Sequence, residues 1–501
     1  MNEEIEISGI SIPKEDWDAT PASVKGLVLV LSERLSNLEK RFALLEERLN
    51  QSSENSSKPP SQDGYQKPGK RKSSKPRGFK REARREVEVS RGLLPSESCE
   101  RVEEVKPGCC SNCGEPLFGE DRQPHRHQVF ELPEVSPQVN EYRLHQLTCA
   151  ACSHRTRAAL PAQVSQTGYG DRLSSIVGVL SGPYRQSHRQ VCQLMKSLFG
   201  VSLSRGGVGR LRQELKDALD PITQEAQQYV QAQPVLHRDE TSFSQGNRDG
   251  NNPTRAQGWL WVLVTPWVSY FEVALSRSQA TAQTLIGDEF EGILVSDRYG
   301  AYNWKSVHER QACWAHLKRD FTAMAQRSGV SQGIGEALLR RQRRLFRWWH
   351  HYRDGSLSPP VLVQCVERLR QGFKQELEQA AGLPIDRQEK TPLAKTVRTC
   401  RQLLKAEPSF WTFVHHHAVE PTNNAAERAL RPAVIWRRTS FGAQSRKGSQ
   451  FVAQMLTVST SLRAQQRDIL AFLTQTVRAH RFQLQLPSLL PSITTQLGLA
   501  A

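Results

Sequence analysis

Three acidic residues in different local settings are the part of this chain best suited to chemistry. Asp239 ends the run Pro234-Val-Leu-His-Arg-Asp239, Asp297 ends Gly292-Ile-Leu-Val-Ser-Asp297, and Glu427 lies inside Thr422-Asn-Asn-Ala-Ala-Glu-Arg-Ala-Leu-Arg431. The first two runs read as short strands that finish in a carboxylate. The third reads as the opening turns of a helix, with Asn423 or Asn424 as its cap. Two strand-end acids and one helix acid can hold a pair of divalent cations, and hard oxygen ligands suit Mg²⁺ or Mn²⁺. Two such ions about 3.5–4 Å apart serve an in-line phosphoryl transfer. Each acid also has an ordinary reading. Asn424 and Glu427 have the spacing of a capping box, in which the glutamate only holds a backbone N–H. Asp239 could cap the segment after it, with Glu240 as an adjacent competitor for the ligand role, and Asp297 beside Arg298 could serve a turn.

A second set of chemical residues is sulfur. Of ten cysteines, four form two C-x-x-C pairs, Cys110-Ser-Asn-Cys113 and Cys149-Ala-Ala-Cys152. Each pair can present two thiolates, and together they close one tetrahedral structural Zn²⁺ site. Cys109 stands next to the first pair as a competing ligand, while His125, His127 and His154 fall outside a site already closed by four thiolates. Apolar residues alternate with polar ones in VFELPEVSPQVNEYRLHQLTC, which predicts a hairpin joining the pairs. So few cysteines in this length do not make a disulfide scaffold.

The third set is basic. The chain has a net charge of +17, which favours a polyanionic partner, nucleic acid above all. His316, in Cys313-Trp-Ala-His316, is placed either to touch a scissile phosphate or to pack in the core. Arg428 and Arg431 share the helix of Glu427, Arg431 on the same face. Arg437, Arg438, Arg446 and Lys447 surround the Gly-containing stretch SFGAQSRKGS, a candidate backbone-gripping loop. Two helical segments, Ser187–Phe199 and Ser204–Leu219, are separated by Gly200-Val-Ser-Leu203, a helix-turn-helix pattern. The second carries Arg205, Arg210 and Arg212, suited to phosphates or guanine edges.

These groups need elements to position them. Between residues 233 and 300 the apolar period becomes that of strands, with Trp259–Thr265 and Ser269–Leu275 joined by a tight turn at Pro266-Trp-Val268, then a helix over Ser278–Gly287. Three strands, a helix and a fourth strand is the order of a ribonuclease-H-like sheet. Residues 305–415 read as a basic helical region with Trp348, Trp349 and Trp411 in its core, and 445–480 as further helix. Near the N-terminus, Val24, Leu31, Leu38 and Leu45 alternate with Val28, Leu35, Phe42 and Leu49 in heptads. Arg34, Arg41 and Arg48 stand opposite Glu39 and Glu46 across a parallel pair, predicting a coiled coil. Residues 50–87 lose all periodicity and read as a basic disordered linker. No run of about 18 apolar residues predicts a membrane span, and the acidic start, Met1-Asn-Glu-Glu4, does not suit a secretory signal, so a cytoplasmic protein is expected.

With these motifs assembled, the chain resembles the transposases of the insertion-sequence-66 family, which carry an acidic-triad (DDE) catalytic domain. The resemblance rests on the cysteine pairs with HRHQVFELPEV and EYRLHQLTCAAC, on DET at Asp239, GILVSDRYGAY at Asp297, CWAHLKRDF at Cys313–Phe321 and PTNNAAERALRP at Glu427. It implies a multidomain α/β protein. Its parts would be a coiled-coil helix (20–50), basic linker (51–98), zinc-binding domain (99–160) and helical DNA-binding region (165–225). A ribonuclease-H-like catalytic domain (230–445) with a helical insertion at about 325–415, and a C-terminal helical region (446–501), would come next. It implies two Mg²⁺ ions on Asp239, Asp297 and Glu427, inverted-repeat ends and target DNA as substrates, a homodimer or larger assembly, and accessory proteins of the element in some relatives. The alternatives are a non-catalytic DNA-binding regulator derived from such an enzyme, and an RNA-cleaving or repair nuclease on the same fold. The first would bind DNA without nicking it; the second would cut substrates that have no inverted ends.

Overall fold

The computed structural model describes residues 4–7, 10–49, 51–52, 55 and 92–492. Most of the basic linker and the last nine residues lie outside the described residues. The chain divides into two compact units, one of residues Met1–Tyr65, Asn140–Ser197 and Val201–Ala501, the other of Gln66–Val139 and Leu198–Gly200. The structure is mixed α/β with a helical majority. Among the described residues no helix is long and apolar enough to cross a membrane.

The first elements are a small hairpin, β1 (Glu4–Ile7) and β2 (Ile10–Pro13), a short helix α1 (Lys14–Ala19) and the long helix α2 (Ala22–Leu49). Leu31, Leu35, Leu38, Phe42 and Leu45 on α2 are all exposed, so none of the described residues covers that stripe.

No helix or strand forms between residues 117 and 145. The hairpin expected there is absent; Pro133 and Pro137 cannot donate to a ladder and interrupt the alternating run. Strand pairing instead brackets the second cysteine pair, β3 (Gln146–Thr148) against β4 (Arg155–Arg157).

Three helices come next: α3 (Asp171–Ser181), α4 (His188–Phe199) and α5 (Arg205–Gln231). Ser204 caps α5 by accepting from the Gly207 N–H. The sequence predicts an end at Leu219, yet α5 runs on through Pro221. Its buried stripe explains why: Leu211, Leu215, Leu219, Ile222, Ala226 and Val230 keep helical spacing across the proline. Packing of that face outweighs one lost backbone bond.

The sheet has five strands in the order β7-β6-β5-β8-β9. They are β5 (Val235–Ser242), β6 (Trp259–Val264), β7 (Ser269–Ala274), β8 (Ile293–Ser296) and β9 (Arg310–Ala312), with α6 (Gln279–Ile286) between β7 and β8. β5, β6 and β7 pair antiparallel; β8 runs parallel to both β5 and β9. β6 is buried along nearly its whole length, as its unbroken WLWVLV run requires of a strand covered on both faces.

Six helices lie between β9 and the last helical layer: α7 (Trp314–Ala325), α8 (Val330–Arg353), α9 (Pro359–Ala381), α10 (Pro392–Ala406), the single turn α11 (Thr412–His415) and α12 (Asn424–Ser440). α13 (Arg446–Ala464) and α14 (Ile469–Phe482) close the chain. α7–α11 fill the region expected to be helical, and their core forms around Trp314, which packs on Phe346, Phe373, Phe410 and Trp411. A separate core joins the sheet to α5, α12, α13 and α14 through residues such as Leu219, Leu260, Phe271, Trp436, Met455 and Leu473. Leu294 belongs to that core and Val295 to the Trp314 core, because successive strand side chains point to opposite faces.

Candidate catalytic centre

Sheet register brings the two strand acids together. β5 and β8 run parallel with Leu236 beside Leu294 and His237 beside Val295. Two residues further on stand Asp239, still in β5, and Asp297, the residue after the end of β8, so both acids lie at the same end of the paired strands. Asp239 accepts the Glu240 N–H at 2.9 Å, and Asp297 accepts the Tyr299 N–H at 3.0 Å. Glu240 points the other way, as alternation demands. Its carboxylate is held by Arg277, at 2.8 Å from Nε, and by the Tyr302 hydroxyl. That carboxylate is held by Arg277 and Tyr302, whereas Asp239 has a backbone N–H as its partner among the described contacts; Asp297 lies near enough to raise the pKa of both.

Behind the acids lies Arg238, fully buried, its guanidinium between the Trp261 ring at 4.1 Å and the Tyr302 ring at 4.4 Å. Burial raises the pKa of Asp239 well above the usual carboxylate value, and the charges of Glu240, Asp297 and Glu427 raise it further. Burial also raises Asp297, while the Tyr299 N–H and nearby arginines pull it back.

Glu427 arrives from the first turn of α12. Asn423 holds the N-cap position, but its side chain makes no cap. It crosses to β5, donating from Nδ2 to the Arg238 carbonyl at 2.6 Å and pairing through Oδ1 with His237 Nδ1 at 3.2 Å. Its backbone N–H donates to Cys313 Sγ at 3.1 Å. Asn423 is 1% exposed, so one buried residue fastens α12 to the central strand and to the start of α7. No capping box forms: Glu427 Oε1 is buried and has no hydrogen-bond partner. His316 Nδ1 lies 3.8 Å from it and is buried and unpartnered as well.

Cys313, His316 and Glu427 each present a ligand atom within 4.8 Å of the other two, the one such group of three among the described residues. Asp239, Asp297 and Glu427 are spaced more widely as a set. Cys313 has no assigned role in the sequence reading; the signal that could have found it is the Cys-x-x-His spacing at a helix start. Burial pushes the Cys313 thiol up to about 11 and so keeps it protonated, a poor ligand for a hard ion. Burial first, then Arg319, lowers His316 to about 4, leaving a neutral imidazole at neutral pH.

The basic candidates are scattered around this centre. Arg428 and Arg431 are exposed, and neither pairs with Glu427 among the described contacts. Arg438 is exposed at the end of α12, while Arg437 turns inward to the Thr241 hydroxyl at 2.8 Å and the Ser242 carbonyl at 2.8 Å. On α5, Arg205 and Arg210 are exposed. Arg212 is half-buried over the Phe451 ring at 4.1 Å and hydrogen-bonds His188; burial lowers its pKa to about 10.

The two cysteine pairs fold alike, each within its own turn. Cys110 O accepts the Gly114 N–H at 2.9 Å and Cys149 O accepts the Ser153 N–H at 2.8 Å; the Cys110 and Cys149 N–H groups donate to Glu115 and His154 carbonyls, both at 2.8 Å. Gly114 and Ser153 both take positive φ, 79° and 61°. Backbone N–H groups inside each turn, led by those of Cys113 and Cys152, lower the pKa of Cys110 and Cys149. That is the setting in which a thiolate becomes a metal ligand.

Comparison with known proteins gives two family matches. Residues 184–451, just over half of the chain, match the family described as Transposase IS66 family. Residues 12–91 match a family of unknown function. Two proteins of Sinorhizobium fredii (strain NBRC 101917 / NGR234) are similar over most of their length. Uncharacterized protein y4hP is 26% identical across 75% of this chain and 71% of that protein. Uncharacterized protein y4qI is 24% identical across 75% of this chain and 72% of that protein.

Proposed function

The chain belongs to the IS66 family of transposases, and from that premise we propose that it is a divalent-metal-dependent DNA transposase whose triad is Asp239, Asp297 and Glu427. The observation that carries this reading is that Asp239, in β5, and Asp297, the residue after β8, stand at the same end of two parallel strands, with the unpartnered oxygen of Glu427 arriving from α12. Burial first, and then the charges of Glu240, Asp297 and Glu427, raise the pKa of Asp239, so its ionised form gains from a bound cation. Such a donor set fits Mg²⁺ or Mn²⁺. Two such ions, when bound, stabilise the attacking and leaving oxygens of an in-line phosphoryl transfer.

The chain's own groups do the rest. Asn423 sets the reach of Glu427 by fastening the start of α12 to β5. The neutral imidazole of His316 lies beside Glu427; Arg319 donates to its Nε2 at 3.2 Å, so the ring keeps its proton on Nδ1, turned towards the Glu427 carboxylate at 3.8 Å. Arg428, Arg431 and Arg438, exposed along α12, hold the phosphates of the strand being cut. In this reading the five-stranded sheet is a ribonuclease-H-like core with α8–α11 as its insertion, and α4 and α5 are a helix-turn-helix that binds element ends. The stripe on α2 pairs two protomers so that two ends are held together. Cys110, Cys113, Cys149 and Cys152 are the ligand set for one structural Zn²⁺, proposed from their spacing and the matching turns at each pair. Cleavage frees a 3′-hydroxyl at the element end, which then attacks target DNA.

The test is Mg²⁺-dependent nicking of a duplex that carries the element's inverted repeat. Asp297→Asn should lower the nicking rate at least about a hundredfold while binding persists. Binding without nicking by the native chain, or full activity in the variant, refutes the enzyme reading and favours the regulator.

A further inference from the structure

A cavity of about 790 Å³ opens between α4, α5 and the segment that links α12 to α13. Five cationic side chains line it: Arg185, Arg212, Lys216, Arg248 and Lys447. No aspartate or glutamate is among its lining residues. Lys216 is already paired, with Asp217 at 3.3 Å and Asp220 at 3.0 Å. Among the described contacts the side chains of Arg185, Arg248 and Lys447 have no hydrogen-bond or ion-pair partner, and the buried Nε of Arg212 has none either. Four cations without an acidic partner around one hollow give it a positive potential that attracts an anion.

The rest of the lining says what kind of anion. Tyr184 and Ile435, both exposed, make an apolar wall over the buried Trp436 and Phe451, and Gln444 adds an amide that can both donate and accept. A bare phosphate needs neither, and a hollow this large exceeds it. The mixture of cations, an aromatic wall and an amide suits a phosphate with a base attached.

Its position ties it to the candidate catalytic centre. The segment after α12 lies along the continuation of β5: Ala443 N–H donates to Ser244 O at 2.9 Å, Gly246 N–H to Ala443 O at 2.8 Å and Arg248 N–H to Gln444 O at 3.0 Å. Gly442, at φ 106°, is needed here, because a Cβ would collide with the Ser244 carbonyl. From Asp239 to Gln245 along extended chain is about 20 Å, and from Glu427 to Thr439 along α12 is about 18 Å. Both routes place the cavity on the order of six base-pair steps from the acids, at about 3.4 Å per step.

We propose that this cavity receives one nucleotide drawn out of the DNA near the cut site. Its phosphate meets Arg185, Arg212, Arg248 and Lys447, and its base lies against the exposed Tyr184 and Ile435 with Gln444 at its edge. The proposal rests on the transposase reading and adds a second grip on the same DNA, which fixes the register of the strand relative to the acids.

The experiment uses the full chain and inverted-repeat duplexes carrying 2-aminopurine at successive positions. The native protein should brighten one position about six base pairs from the cut. The double variant Arg185→Asn, Lys447→Gln should abolish that brightening and weaken duplex binding about tenfold with an unchanged melting temperature. Asparagine is chosen because Arg185 has φ 59°, a conformation asparagine tolerates. If native protein nicks the duplex but brightens no position, or the variant brightens it as the native chain does, the cavity proposal fails alone. If native protein neither nicks nor brightens, the transposase reading fails with it. Saturable binding of free dAMP that leaves duplex binding untouched would mark a free-nucleotide site and also overturn the proposal.

Discussion

Asp239 sits where its own charge is unwelcome. Burial and the neighbouring carboxylates raise its pKa well above the ordinary 3.8. Between those two values the folded chain keeps a proton that the unfolded chain has lost, so stability falls as pH rises through that window. A divalent cation removes the penalty by binding the ionised form. Two results are expected. Without metal, Asp239→Asn should melt higher than the native chain at pH 7.5, by about 1 °C for each kcal/mol of penalty in a chain of 501 residues, and the gap should close towards pH 4. Millimolar Mg²⁺ should raise the melting temperature of the native chain by mass action and leave that of the variant nearly unchanged. A variant that melts lower than the native chain in EDTA would show that Asp239 is a structural hydrogen-bond acceptor. The same residue shows how far spacing alone can go. A strand-end acid is visible in HRDET, but the rejection of Glu240 depends on Arg277 and Tyr302, 37 and 62 positions away, and no local pattern contains them.

Elements with a clean period were legible and elements decided by distant contacts were not. β6, β7 and β8 and the helix after Ser278 fall where apolar alternation and the capping serine place them. The start of α12 was legible as well, but the use of Asn423 was not: its side chain serves β5 instead of its own helix. α5 outran its proline because its buried stripe continued, whereas prolines won in the run before β3, where no comparable face had to be covered. Among the described residues the most consequential uncovered element is α2. Leu31, Leu35, Leu38, Phe42 and Leu45 are exposed on it, and burying each such side chain is worth about 1.5–3 kcal/mol. A 28-residue helix with that stripe should therefore find a second copy. Removing residues 1–50 should lower the mass measured by light scattering to that of a single chain and leave the far-ultraviolet spectrum of the remainder otherwise intact. An unchanged oligomeric state would assign the stripe another occupant.

At the scale of the whole molecule the excess of 17 positive charges needs a partner, and its placement is informative. Arg205 is the first residue of α5 and is exposed there. A cation at a helix N-terminus opposes the macrodipole and costs the fold a few tenths of a kcal/mol. Neither Arg205 nor Arg210 has a hydrogen-bond or ion-pair partner among the described contacts that would offset this. A phosphate at that helix end would reverse the sign, since it meets both the free N–H groups and the arginine. Replacing Arg205 and Arg210 with glutamine should thus leave stability unchanged or slightly raised while weakening DNA binding. If each arginine neutralises one phosphate, the slope of log K against log salt should become shallower by about 0.9 per residue, or about 1.8 for the pair. The loss should be uniform across unrelated duplexes if these are backbone contacts, and confined to the inverted repeat if either residue reads a base. A variant with the native slope would place the DNA on another face of the molecule and leave the charge of α5 unexplained.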